Sequence, residues 1–277
     1  MNMNFGAQQF NLFYTEDMMQ SHGGSYFERV LNNPLVQIQE AYGFETAYQL
    51  NPKFSVTGAF ATGYNGFLGD GDEDYDAPEN RISSYQVGMA YRPKKSITFK
   101  TAYGVMNENE SVLGMMGQGA FDIKGASTAF VSAGLTLRPV DKLKLDLMYT
   151  YGWTNPERGD GIMQFSKLTS DGFALVAQYD LGDDNMLGFS VSSPLRVNSG
   201  KVSVNMPVGR DGEHMYSKWY SADLKPTARE LDFALFYKDQ VTPDLFIQSE
   251  LSVRLNPDHQ ADASADYRGL FGLKYQY

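Results

Sequence analysis

Few residues in this chain have the types and spacing that chemistry requires. The stretch "GDGDEDYDAPE" at 69–79 sets Asp70, Asp72, Asp74 and Asp76 at alternate positions, as a calcium-binding loop would. The turn position that needs glycine holds Tyr75 and the closing acidic position holds Arg81, so the pattern fails as an EF-hand and reads as a solvated loop. "SHGGS" at 21–25 suggests an oxyanion-type glycine turn, but no G-x-S-x-G nucleophile motif accompanies it. His22, His214 and His259 are the available imidazole bases, and each lies in a different connection. Asp258 beside His259 could form the acid and base of a rim-type protease site, yet sequence neighbours need not face one site. No catalytic, cofactor-binding or metal-ligating residue is assigned, and with no Cys there is no thiolate site or disulfide framework.

A second group of charges is more regular. Glu45, Lys100, Lys144, Asp146, Asp232, Glu250, Arg254, Arg268 and Lys274 all fall at alternate positions opposite apolar residues. Leu143, Leu145, Leu147, Tyr149, Tyr151 and Trp153 share one face, with Lys144, Asp146 and Thr150 on the other. Leu231, Phe233, Leu235 and Tyr237 oppose Asp232 and Lys238, while Leu245, Ile247, Leu251, Val253 and Leu255 oppose Gln248, Glu250 and Arg254. A period of two over this length means β-strands with one greasy and one polar side. The charged candidates are predicted to face a barrel lumen, either as ion pairs that fill it or as the lining of a conducting path.

The connections support a barrel. "LNPK", "RPKK", "RPVDK", "GDDN", "GRDGE" and "DQVTP" are short, and between them come mostly long segments at 15–35, 65–80, 107–124, 155–164 and 256–265. "AYRPKKSITFKTAYG" at 90–104 and "LRPVDKLKLDLMYTYG" at 137–152 repeat one hairpin plan. Alternating short and long connections are the rhythm of a transmembrane antiparallel up-and-down β-barrel, with tight periplasmic turns and long extracellular loops. A single domain over 1–277 is expected. It has about 14 strands if "KVSVNMPV" (201–208) and "YSKWYSADL" (216–224) both cross the membrane, or about 12 if they form a hairpin beyond it. Residues 1–14 read as one strand.

Composition agrees. The mean hydropathy of -0.38 and the lack of any long apolar run exclude a helical membrane protein, while alternating strands average to such a value. The aromatic share is 14%, with 18 Tyr and 18 Phe, and Tyr suits a membrane boundary. A formal charge of -10 argues against nucleic acid as a partner. The start "MNMNFGAQQF" shows no basic region followed by an apolar stretch, so the expectation is a removed signal or a piece of a longer chain.

Three segments carry a resemblance. "YGVMNENESVLGMMGQGAF" (103–121), "SVSSPLRVNSGKVSVNMPVGRDG" (190–212) and "ADLKPTARELDFALFY" (222–237) resemble the C-terminal barrel of bacterial subtilisin-like autotransporter serine proteases. The resemblance covers roughly residues 90–277 and implies a translocator that anchors a secreted passenger, with the protease triad upstream and no catalysis in this chain. Such barrels usually carry a helix through the pore, whereas 1–14 reads as a strand, so a free-standing channel or scaffold barrel in an envelope complex is the alternative. The expected location is the bacterial outer membrane, and the expected partners are the lipid bilayer with lipopolysaccharide, the barrel-assembly machinery, and a passenger or envelope protein. The chain closes on "DYRGLFGLKYQY", where Phe271, Leu273, Tyr275 and Tyr277 fit the aromatic-terminated assembly signal of outer-membrane proteins.

Overall fold

The computed structural model describes residues 2–5, 8–15, 40–64, 81–117, 119–159, 161–182, 185–242 and 245–275. The acidic loop at 69–79, His22 and Tyr277 lie outside the described residues.

The main sheet takes its strands in chain order, as an up-and-down meander does. It runs β1 (Asn2–Phe5), β2 (Gln8–Thr15), β3 (Glu40–Asn51), β4 (Phe54–Tyr64), β5 (Arg81–Lys94) and β6 (Ile97–Asn109), skipping the small β7 (Ser111–Val112) and β8 (Met115–Met116). It continues through β9 (Gly125–Val140) and β10 (Leu143–Pro156), passes β11 (Met163–Phe165), and takes up β12 (Leu168–Gly182) and β13 (Asn185–Ser199). β14 (Lys201–Asp211) and β15 (His214–Asp223) stand apart, and β16 (Leu231–Thr242), β17 (Leu245–Leu255) and β18 (Asp266–Tyr275) complete it. Every neighbouring pair is antiparallel. Among the described residues the sheet has 13 strands, or 12 without the four-residue β1.

One of the two expected arrangements of the hairpin is found, and two other expectations are corrected. "KVSVNMPV" and "YSKWYSADL" pair with each other and with β11 in a separate three-stranded sheet, because β13 is already in register with β16 from Met186↔Lys238 to Ser192↔Asp232. The condition set for about 14 strands, that both segments cross with the main sheet, is therefore not met, and the 13 strands described lie within the expected 12 to 14. "GRDGE" is the tip of this outer hairpin and not one of the rim turns. Where one strand was expected over 1–14, Asn2–Phe5 and Gln8–Thr15 are two strands, paired in register from Asn2↔Asn11 to Phe5↔Gln8.

Burial alternates as the sequence does, with its polarity inverted from that of a water-soluble sheet. On β10, Asp146, Thr150 and Thr154 are buried, whereas Leu147, Tyr149 and Trp153 are 48%, 45% and 44% exposed. The same holds for Tyr85, Val87 and Met89 on β5, Phe189 on β13, and Leu235 on β16. Each such Leu or Phe loses about 1.5–3 kcal/mol by standing in water, so a continuous outer face of them requires a hydrocarbon solvent. Small and hydroxylic residues predominate on the inner face, with Ile82, Met106, Phe130 and Phe236 buried among them.

Two inward glycines are needed for close approach. Gly104 is in register with Phe130, and Gly188 with Phe236; in both pairs the phenyl ring lies over the glycine where a Cβ would otherwise sit. Gly188→Val must expel the Phe236 ring and is expected to cost about 1–3 kcal/mol through overpacking. The urea midpoint of refolding into vesicles should fall, while Gly209→Ala, with nothing within 4 Å, should leave it unchanged.

Candidate solute path

The inner face carries two polar clusters. On β9 and β10, Thr128 and Thr154 share a hydroxyl hydrogen bond of 2.8 Å, Ser132 and Thr150 another of 2.8 Å, and Thr136 Oγ1 donates to Asp146 Oδ1 at 2.5 Å. These pairs are opposite one another in the ladder, so register alone builds the polar row. Lys144 Nζ reaches Asp146 Oδ2 at 2.8 Å. Lys100 is exposed and in register with Gly134, one inward row from Asp146.

The second cluster spans β13, β16, β17 and β18. Ser192, Asp232, Arg254 and Asp266 form one row across these four strands, with Ser190, Ala234, Ser252 and Arg268 in the next. Arg254 Nε lies 3.1 Å from Glu230 Oε1 and 3.2 Å from Asp232 Oδ1. Glu250 is buried one row further along, between Phe236 and Leu270. A cavity of about 70 Å³ opens among Ser190, Ser192, Asp232, Glu250, Ser252 and Arg268. Of the remaining sequence candidates, Glu45 is exposed and in register with Ala59, and Lys274 is in register with Phe246. Phe271 and Leu273 are exposed on the face that also carries Tyr267, while Tyr275 ends β18.

A folded insert follows β6 on the side away from the tight turns. Buried Glu108 accepts Ser111 Oγ–H at 3.0 Å and Gly114 N–H at 2.8 Å on Oε1, and Leu113 N–H at 2.9 Å on Oε2. Glu110 and Leu113 hold left-handed φ of 58° and 50°, a conformation disfavoured for residues with a side chain. Val112, Ile123, Ala126 and Leu168 form an apolar cluster beneath, with Leu113, Met163, Phe165 and Leu224 against it.

His259 ties the other side of the mouth. Its Nδ1 accepts Glu230 N–H at 2.8 Å, so Nε2 carries the proton and donates to Leu195 C=O at 3.1 Å. Asp258 N–H donates to Glu230 Oε2 at 2.6 Å, and Arg196 donates to Ala228 and Pro226 carbonyls at 2.9 and 3.0 Å. Both imidazole nitrogens are thus committed to backbone, and the Asp258–His259 pair is a loop clamp with no nitrogen left to activate a nucleophile. Among the described residues no group of three or more His, Asp and Glu could hold a metal.

The charged positions on the strands were visible in sequence from their period of two. Glu230 was also visible on the polar face opposite Leu231, Phe233, Leu235 and Tyr237, whereas Glu108 and most of the Ser/Thr rows were missed, because their partners are set by register and by loops returning to the mouth.

A family model described as "Putative beta-barrel porin-2, OmpL-like" matches residues 41–190. No curated protein matches the sequence. Among solved structures, a loop L8 deletion mutant of OmpT, an outer membrane protein of Vibrio cholerae, superposes with TM-score 0.51 at 12% identity, covering 98% of this chain and 76% of that one. OprB of Pseudomonas putida, in its high-pH structure, gives TM-score 0.46 at 14% identity over 97% of this chain and 69% of that one. The Pseudomonas putida toluene transporter TodX gives 0.47 at 12% identity over 86% and 73%. The OmpT superposition shows a shared barrel fold. The matched span takes in residues 103–121, which resemble autotransporter translocators, and assigns them to a porin family instead. This chain, a β-barrel of the bacterial outer membrane, belongs to the OmpL-like β-barrel porin-2 family.

Proposed function

We propose that the protein is a free-standing channel that passes small hydrophilic solutes across the outer membrane, with no catalytic step of its own. The observation that carries this reading is the inner wall, where hydroxyls and charges are paired row by row across β9–β10 and across β13, β16, β17 and β18, while most large apolar residues stand on the outer face. Such a wall replaces part of a solute's hydration shell and offers both donors and acceptors along its length. Glu108 and the insert at 110–124 set the size limit at the outer mouth. The translocator reading draws on the motifs at 103–121, but Glu108, Leu113 and Gly114 within them are used to build this insert, a use that a size-limiting channel explains.

The test is direct. Refolded protein added to planar bilayers should give discrete ion-conducting steps, and vesicles containing it should swell in small sugars faster than in large ones. Folded protein that stays electrically silent and leaves swelling unchanged would remove the channel reading and return the anchor reading to first place.

A further inference from the structure

The periplasmic rim has a charge pattern that the solute path does not use. Three neighbouring tight turns, joining β3 to β4, β5 to β6 and β9 to β10, carry Lys53, Arg92, Lys94, Lys95, Arg138 and Lys142, all exposed, with Asp141 as the acid among them. The turns are stitched into one arc: Arg92 N–H donates to Lys53 C=O at 2.7 Å, and Arg138 N–H to Ser96 C=O at 2.8 Å. Asp180 N–H then donates to Lys142 C=O at 2.8 Å, and there the sign changes. The next two connections read "DLGDD" from Asp180 and "DQVTPD" from Asp239. In a chain of formal charge -10, a run of six cations on adjacent turns is a local feature and not a reflection of composition.

The depth of this arc identifies its partner. One residue above the turns, Phe54, Tyr91 and Phe99 stand in a single register row on the outer face, with Phe54 and Tyr91 stacked at 4.6 Å between centroids. Phe99 is half-exposed there. An outward aromatic row marks the boundary between hydrocarbon and headgroups. Two-residue turns extend little beyond that boundary, so the heads of Lys53, Lys94, Lys95 and Lys142 lie at the level of lipid phosphates. Arg92 donates Nε–H to inner-face Thr98 Oγ1 at 3.3 Å, so it adds to the positive field of the rim from the lumen side while the four lysines meet the headgroups. A soluble acidic protein would meet this rim only through the headgroup layer, whereas anionic lipids are already in it.

We propose that the basic arc over β3–β10 is a docking surface for anionic phospholipid headgroups of the periplasmic leaflet, which gives the barrel one lipid-selective side and one acidic, unselective side. Association of spin-labelled phosphatidylglycerol and spin-labelled phosphatidylcholine with the refolded protein should be compared in mixed phosphatidylcholine vesicles. Phosphatidylglycerol should be favoured roughly two- to fivefold, and the preference should shrink as salt rises. It should fall to near parity in the sixfold variant K53Q/R92Q/K94Q/K95Q/R138Q/K142Q. The smaller variant K94Q/K95Q/K142Q, which touches no backbone-bonded arginine, should lose about half of it. Added inorganic phosphate should not compete. Equal association of both lipids with the unmodified protein overturns the proposal, and so does a preference that survives neutralisation, which would assign these cations to the solute path instead.

Discussion

Glu108→Ala is expected to release the insert at the outer mouth, opening residues 110–117 to proteases and raising single-channel conductance. The carboxylate is buried and accepts one hydroxyl and two backbone N–H groups, and nothing else described in the structure accepts the Leu113 and Gly114 donors. Hydrogen bonds to a charged acceptor contribute about 1.5–3 kcal/mol each, and donors left buried cost about as much again. The turn cannot stay in place without them, because Glu110 and Leu113 already sit in left-handed backbone at a cost of about 1–2 kcal/mol each. Part of the loss returns when the freed turn meets water, so the net effect on refolding stability should be about 2–4 kcal/mol. Glu108→Gln keeps the shape but sets an amide donor against the donors of the turn, and should fall between alanine and the native residue. Glu213→Ala, at the exposed tip of the outer hairpin, serves as the control and should change neither readout. If Glu108→Ala leaves both the cleavage pattern and the conductance as they were, the insert does not set the size limit.

The lipid face was legible in sequence because its signal is local. Leu143 to Trp153 alternate with Lys144, Asp146 and Thr150, broken only by Met148 and Gly152, and the solvent of a strand is decided by which residues share a face. The outer hairpin was ambiguous for the same reason: Val202, Val204 and Met206 alternate with Ser203 and Asn205 much as a membrane strand would. Its placement depends on a distant fact, the direct pairing of β13 with β16, which no local period encodes. The site divides similarly. Asp232 and Arg254 could be assigned a face from their neighbours, but their salt bridge needs the register of two strands joined by a turn. Glu230 shares the period of the strand that follows it and His259 has none, but only the folded mouth shows what either holds.

Arg254→Met is expected to destabilise the barrel by about 3 kcal/mol and to turn the lumen more strongly cation-selective. The guanidinium bridges Glu230 and Asp232, whose side chains are only 7% and 17% exposed, and Asp266 stands opposite in the next strand. Removing one partner of a buried pair costs about 3–5 kcal/mol because the remaining charge loses its compensation. The Arg254 side chain is a third exposed, which places the effect at the lower end. Adding Asp232→Asn to Arg254→Met should recover a large part of the loss, since it removes one of the orphaned carboxylates, whereas additive independent effects would make the double variant worse. Arg254→Lys should be intermediate: the charge persists, but one ammonium cannot reproduce the guanidinium geometry between two carboxylates. Denaturant midpoints for refolding into vesicles measure the first effect. Reversal potentials across a salt gradient measure the second, because a wall that has lost its bridging cation presents Glu230, Asp232 and Glu250 to passing ions. A stability loss with an unchanged reversal potential would make the cluster a structural brace away from the ion path. A shifted potential places these carboxylates on the path itself.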